Sequence, residues 1–271
     1  MAAPSPRPLV DVAILPEGYA VITLQKEPVN SLDSAMWLQL QQALSQLEAN
    51  SAVKGVIFTS GLKRDVFSAG NDMAELHPDQ TTFERYKHFW DLSNMFLVNL
   101  YRTRLATVAA IRGACPAGGC IIAMCCDHRL MTPHGAMGLN EVVLGIPVPR
   151  YWAHIMARLI GPRQAEKLLF TGKMASPAEA HKLGLVDEVV DKDSLMPTAH
   201  ALMQTLIRVP AFASSSTKLN TREEFIKQWL AYLGGEAEAG WSLLVKPETR
   251  ALLASAMQRV SSKPPAKASR L

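Results

Sequence analysis

Apolar and polar positions follow two rhythms along this chain, one of period two and one of three to four, and they change over repeatedly in its first half. Residues 9–15 and 19–25 predict two short strands around Pro16-Glu17-Gly18, which has turn chemistry. Asn30-Ser31-Leu32-Asp33 supplies cap residues, after which Met36, Leu40, Leu44 and Leu47 recur at helical spacing. The run VKGVIFT, residues 53–59, is apolar and β-branched, as a strand buried on both faces requires. A polar loop over 60–65 leads into FSAGNDMAEL, and residues 83–104 place aromatic and aliphatic side chains on one helical stripe. Another buried strand is predicted at 107–111. It is followed by a GACPAGGC turn, an apolar helix over 119–126 and a returning strand at 128–131, with 139–146 after its polar turn.

Strands alternating with helices argue an α/β fold with buried sheets. From residue 150 onward the pattern is mostly helical, apart from a strand at 185–190, and 195–260 carries several Leu, Met and Trp stripes. A helical segment of this kind packs across the core or against a neighbouring subunit, and its stripes read as packing surface. The expected organisation is a core over 1–195 holding the functional site, a helical C-terminal and oligomerisation region over 196–260, and a flexible tail over 261–271.

Composition narrows the possibilities only modestly. With 271 residues, 48% hydrophobic and 19% charged, the chain can bury a sizeable core, and no long charge-free apolar stretch predicts a membrane span. The net charge of +4 comes from dispersed basic residues. It suits an anionic small ligand, and no basic patch points to nucleic acid. Cys115, Cys120, Cys125 and Cys126 fall within twelve residues among Ala, Ile and Met. That clustering fits neither a disulfide framework nor paired metal-ligand spacing, so they are expected to be reduced core residues. His128 and His134 likewise lack metal-ligand spacing, and no metal site is expected. The N-terminus MAAPSPRPLV has neither the apolar region of a secretory signal nor the arginines of a transit peptide. The basic, proline-rich tail ends in Ser269-Arg270-Leu271, a near relative of the S-K-L address that a peroxisomal import receptor reads.

Chemistry concentrates in three segments. FSAGNDM, residues 67–73, and CPAGGC, residues 115–120, each put small residues where a strand gives way to a helix. Such junctions leave main-chain N–H groups without intrahelical partners, and two of them converging would stabilise an oxyanion. The third segment, MGLNEVVLGI over 137–146, isolates Glu141 in an apolar run. A lone glutamate is ordinarily solvated, but one flanked by Val, Leu and Ile is expected to be partly buried. Burial without a cation raises its pKa toward the range of a general base.

In this order and spacing, FSAGNDM, GACPAGGC and GLNEVVLGI resemble the crotonase (enoyl-CoA hydratase/isomerase) superfamily over residues 10–260, and Val29–Leu32 (VNSL) matches its early signature. NEVVLGI with CPAGGC is most similar to the monofunctional Δ3,Δ2-enoyl-CoA isomerases of mitochondrial type. The resemblance implies a crotonase-type spiral of repeated β-β-α units with a helical C-terminal region, usually assembled as a homotrimer. It implies main-chain oxyanion donors at Asn71 and Gly118 and general acid/base work at Glu141. Ser68, Ala69, Gly70, Asn71 and Asp72 would line the CoA and thioester site, with Asn140 beside the acyl group. Hydratases of the family carry a second glutamate where this chain has Ile121. The expected activity is therefore conversion of 3-cis- or 3-trans-enoyl-CoA to 2-trans-enoyl-CoA in unsaturated fatty acid β-oxidation. No cofactor is needed, because CoA belongs to the substrate. The expected location is a peroxisomal or glycosomal matrix, with the mitochondrial matrix as the alternative. The same scaffold also hosts hydratases, thioesterases and dehalogenases, and non-catalytic acyl-CoA- or RNA-binding relatives form a further class.

Overall fold

The computed structural model describes residues 8–262. Its strands are β1 (Val10–Leu15), β2 (Tyr19–Leu24), β3 (Gly55–Ser60), β4 (Ala106–Pro116), β5 (His128–Gly138) and β6 (Glu188–Val189). Its helices are α1 (Ser34–Ala49), α2 (Met73–Leu76), α3 (Phe83–Arg102), α4 (Ala117–Cys125), α5 (Arg150–Ile160), α6 (Pro162–Leu169), α7 (Pro177–Leu183), α8 (Leu195–Leu206), α9 (Ala211–Tyr232), α10 (Glu236–Leu244) and α11 (Pro247–Ser262). The strands form one sheet in sequence order, antiparallel between β1 and β2 and parallel from there on.

Side chains alternate across a strand, so this sheet serves two cores. Ala20, Ile22, Leu24, Val56, Phe58, Ala109 and Ile111 join the larger core with α1, α3 and α4. Tyr19, Val21, Ile57, Val108 and Ala110 face the opposite way, onto Leu195, Ala199 and Met203 of α8. The helix that opens the expected C-terminal region thus covers a face of this chain's own sheet. The four cysteines are buried and free, as their clustering predicted.

Two strands run beyond their expected ends. The segment 113–116, read as a turn, continues β4, and β5 extends to Gly138. A register shift between Ile111 and Gly113 makes this possible, because pairing resumes at Gly113↔Gly135 and runs to Pro116↔Gly138. Periodicity over 107–111 ends at the irregularity, so it could not reveal the continuation. The consequence is functional, since both strands deliver their C-terminal ends to the same place. Of the segments singled out at the termini, 1–7 and the tail from 263, including Ser269, Arg270 and Leu271, lie outside the described residues.

The later helices fold back over the core. α9 is fastened by Asp127, just beyond the end of α4: its carboxylate accepts from Lys218 Nζ at 2.6 Å, Arg222 Nη2 at 3.0 Å and the Thr107 N–H at 2.9 Å. Lys218 and Arg222 are 10% and 17% exposed, so removing their common partner leaves two cations in poorly solvated surroundings. Asp127→Ala is expected to lower the unfolding free energy by about 3–5 kcal/mol, read as an earlier urea midpoint. A change under about 0.5 kcal/mol, usual for a surface substitution, would show that this cluster does not anchor α9.

Candidate active site

The site begins with a main-chain pairing. Ala69 N–H donates to Val29 O, Leu32 N–H to Gly70 O, and Asp72 N–H to Leu32 O, each at 2.9 Å. Leu32 therefore spends both of its main-chain groups on the neighbours of Asn71, in an isolated parallel bridge. An extended chain alternates the direction of its N–H groups, so Asn71 presents its own to the other side. Asn30, fully buried, holds this strip in place: its Nδ2 donates to Ser60 Oγ at 3.0 Å and Phe67 O at 2.9 Å.

The second corner abuts the first. Ala117 adopts φ +48°, a left-handed conformation that is costly for a residue with a side chain, and it turns β4 into α4 within one residue. Gly118 comes next, where helical N–H groups have no intrahelical acceptor. A Cβ on Gly118 would lie 2.7 Å from Asn71 Oδ1, 2.9 Å from Leu32 Cδ1 and 3.3 Å from Asn71 N, so only glycine allows this approach. Among the described residues, neither the Asn71 nor the Gly118 N–H has a hydrogen-bond acceptor. Two adjacent main-chain donors of this kind can hold an oxygen that gains negative charge.

Glu141 opens a short 3-10 turn, Glu141–Leu144, just beyond the end of β5. Paired hydrogen bonds between Met137 and Ala175 fix that strand end, and Ile146 N–H donates to Glu141 O at 3.2 Å. From α11, Thr249 Oγ1 donates to Gly145 O at 3.3 Å and clasps the turn from outside. Glu141 is 8% exposed, and neither carboxylate oxygen has a hydrogen-bond partner among the described residues. Burial pushes its pKa up to about 7, against a smaller lowering by its own main-chain N–H. At that value the group can both take and return a proton near neutrality.

Asn71, Ala117, Asn140 and Glu141 line one cavity of about 660 Å³. Ala69 and Asp72 line it too, with Asp72 also capping α2 by accepting from the Ala74 N–H at 3.1 Å. Ser68 and Gly70 are placed differently. Ser68 is fully buried; its hydroxyl donates to Asn30 O at 2.7 Å and accepts from the Gly70 N–H at 3.0 Å, so both shape the corner from behind rather than the cavity wall. Ile121 is fully buried in the core.

Periodicity and motif reading missed the rest of the wall. Tyr86 and Trp90 of α3, Trp152 of α5, and Tyr232, Glu236 and Gly240 near or on α10 also line the cavity. The 196–260 segment therefore forms cavity wall as well as packing surface. No local signal distinguishes buried Glu236 from exposed Glu238 two residues on; their fates are set by how α10 lies on α3.

The raised pKa of Glu141 also makes a stability claim. Between the ordinary value of 4.5 and about 7, the folded protein keeps a proton that the unfolded chain has released. Stability contributed by this group is thus complete below the lower value and lost as pH rises through the upper one, by about 3 kcal/mol in total. Glu141→Gln cannot ionise. Its unfolding free energy is expected to gain on the parent protein by up to about 3 kcal/mol between about pH 5 and about pH 8 in urea titrations. A difference that stays constant over that range would place the carboxylate in water.

Comparison with known proteins gives the family of the chain. The enoyl-CoA hydratase/isomerase family profile matches residues 15–242. The mitochondrial enoyl-CoA delta isomerase 1 of Mus musculus is 37% identical over 219 residues, covering 79% of this chain and 75% of that protein. A putative enoyl-CoA hydratase of Thermus thermophilus is 32% identical over 231 residues, covering 84% and 87%. The crystal structure of human mitochondrial delta3-delta2-enoyl-CoA isomerase superposes with a TM-score of 0.91 at 32% identity, covering 95% of this chain and all of that one. Motifs, fold and sequence agree, and the chain belongs to the enoyl-CoA hydratase/isomerase family, the crotonase superfamily.

Proposed function

We propose that this protein moves the double bond of a 3-cis- or 3-trans-enoyl-CoA to give the 2-trans-enoyl-CoA, with Glu141 as the proton shuttle. The observation that carries this reading is a buried carboxylate with no partner among the described residues, raised to about 7, in one cavity with Asn71 and the residue preceding Gly118. The thioester oxygen accepts from the Asn71 and Gly118 N–H groups. Glu141 takes a proton from C2, leaving a dienolate with C1–C2 and C3–C4 double bonds whose oxygen carries the charge against those donors; the C2–C3 double bond forms, and the thioester carbonyl is restored, as C4 is protonated. The protonated Glu141 returns the proton at C4. No metal or redox cofactor enters the scheme, and CoA arrives with the substrate. The relatives named as delta isomerases support it, as does the apolar Ile121 where family hydratases carry a second acid. Those relatives are mitochondrial by name, which favours the mitochondrial matrix over the peroxisomal or glycosomal one. A homotrimer belongs to the same reading.

The purified protein, offered 3-enoyl-CoA and separately 2-enoyl-CoA in water, is expected to form conjugated product from the first and leave the second unhydrated, followed by ultraviolet absorbance. Hydration of the second would reassign the protein as a hydratase. Glu141→Gln is expected to lower kcat by at least about a hundredfold with KM little changed. In the parent protein kcat/KM should rise with pH and level off above about 7, as the free carboxylate becomes the base. Near-normal turnover by the variant would remove Glu141 from the mechanism.

A further inference from the structure

A second carboxylate faces the same cavity and takes no part in the proton transfer. Glu236, the first residue of α10, is 8% exposed. Its Oε2 accepts from Trp90 Nε1 at 3.1 Å and Asn94 Nδ2 at 3.0 Å. Its Oε1 has no hydrogen-bond partner among the described residues, and the residue lines the cavity. Tyr86, Trp90 and Asn94 stand at four-residue intervals along α3, one above the other on a single face. Tyr86 is 3% exposed, lines the cavity, and has no hydrogen bond to its hydroxyl among the described residues. Room for that hydroxyl is made by Gly240, one turn after Glu236, where a Cβ would fall 2.3 Å from the Tyr86 oxygen.

Both atoms are open to the cavity; a polar group that a ligand dries is ordinarily given a partner, and a carboxylate oxygen is among the costliest to leave without one. A plain hydrocarbon chain lying along α3 and α10 would strip water from Glu236 Oε1 and the Tyr86 hydroxyl and offer nothing in return. Burial already raises the pKa of Glu236 against the lowering by Trp90 and Asn94, so further drying falls on a group that is poorly solvated. A hydroxyl meets both needs at once, since it donates to a carboxylate oxygen and accepts from a phenol.

We infer that the α3–α10 wall recognises an acyl chain carrying a hydroxyl group beyond the reacting carbons, held between Glu236 Oε1 and the Tyr86 hydroxyl. This rests on the acyl-CoA reading of the cavity but not on the isomerisation step. Glu236 and Tyr86 act as specificity-determining residues, leaving proton transfer to Glu141.

The test is calorimetric binding of two saturated acyl-CoA thioesters of matched length, one plain and one with a hydroxyl at its distal carbon. Neither can be isomerised, so failure of the proposed reaction shows only in the ultraviolet assay with 3-enoyl-CoA. The parent protein is expected to bind the hydroxylated thioester roughly ten- to a hundredfold more tightly, the range for a hydrogen bond to a charged group. Glu236→Leu, which keeps bulk and removes the acceptor, should bring the ratio of the two affinities close to one. Tyr86→Phe, which removes one oxygen and keeps the ring, should lower the ratio several-fold and carries the test should Glu236→Leu not fold. Equal affinities in the parent protein, as expected if water fills this end in every complex, would overturn the inference. So would a preference that both variants leave unchanged.

Discussion

An ionised carboxylate out of water and without a counter-charge is an unfavourable thing for a protein to hold, and Glu141 is held that way. Among the described residues neither oxygen has a hydrogen-bond partner, so little beyond its own nearby main-chain N–H stabilises the charge. The rest of the structure bears that cost. β5 is pinned at Met137, the 3-10 turn is closed through Ile146, and α11 holds it from outside through Thr249. Without such bracing the turn would swing the acid into solvent, where its proton affinity would return to the ordinary range.

The same economy of partners shapes the corners opposite. Among the described residues, Leu32 engages the neighbours of Asn71 and leaves the Asn71 N–H without an acceptor, while the left-handed Ala117 starts α4 with an open donor at Gly118. These donors are unsatisfied for a structural reason, and their closeness depends on the absence of a side chain at Gly118. β4 and β5, both longer than their core-facing segments, bring the second corner and Glu141 out to one end of the sheet. The helices after residue 195 then close the cavity, so the site built on the α/β core is completed by the helical region C-terminal to it.

Much of this was legible beforehand. The three segments around Asn71, Gly118 and Glu141 marked themselves by small residues at strand ends and by one acid in an apolar run. Asn71, Ala117 and Glu141 from these segments line one cavity, while Gly118 is buried beside Asn71 and is not on the cavity wall. Less legible was whatever depends on contacts distant in sequence. The register shift near Gly113 hid the second half of β4 behind glycine and proline, which read as a turn. Ser68 was expected on the lining from the family resemblance, which cannot tell a hydroxyl that faces a ligand from one donating to Asn30 O. Glu236 was hidden among the acids of α10 until α3 supplied Trp90 and Asn94 beside it.

Difference infrared spectroscopy of the parent protein against Glu141→Gln reads the state of this one carboxyl group directly. The expected signal is a protonated carboxyl stretch, missing from the variant, that disappears with a midpoint near 7. A midpoint at the ordinary 4.5 would mean that Glu141 is solvated, and a dry base sharing one cavity with Asn71 would then be the wrong description of this site.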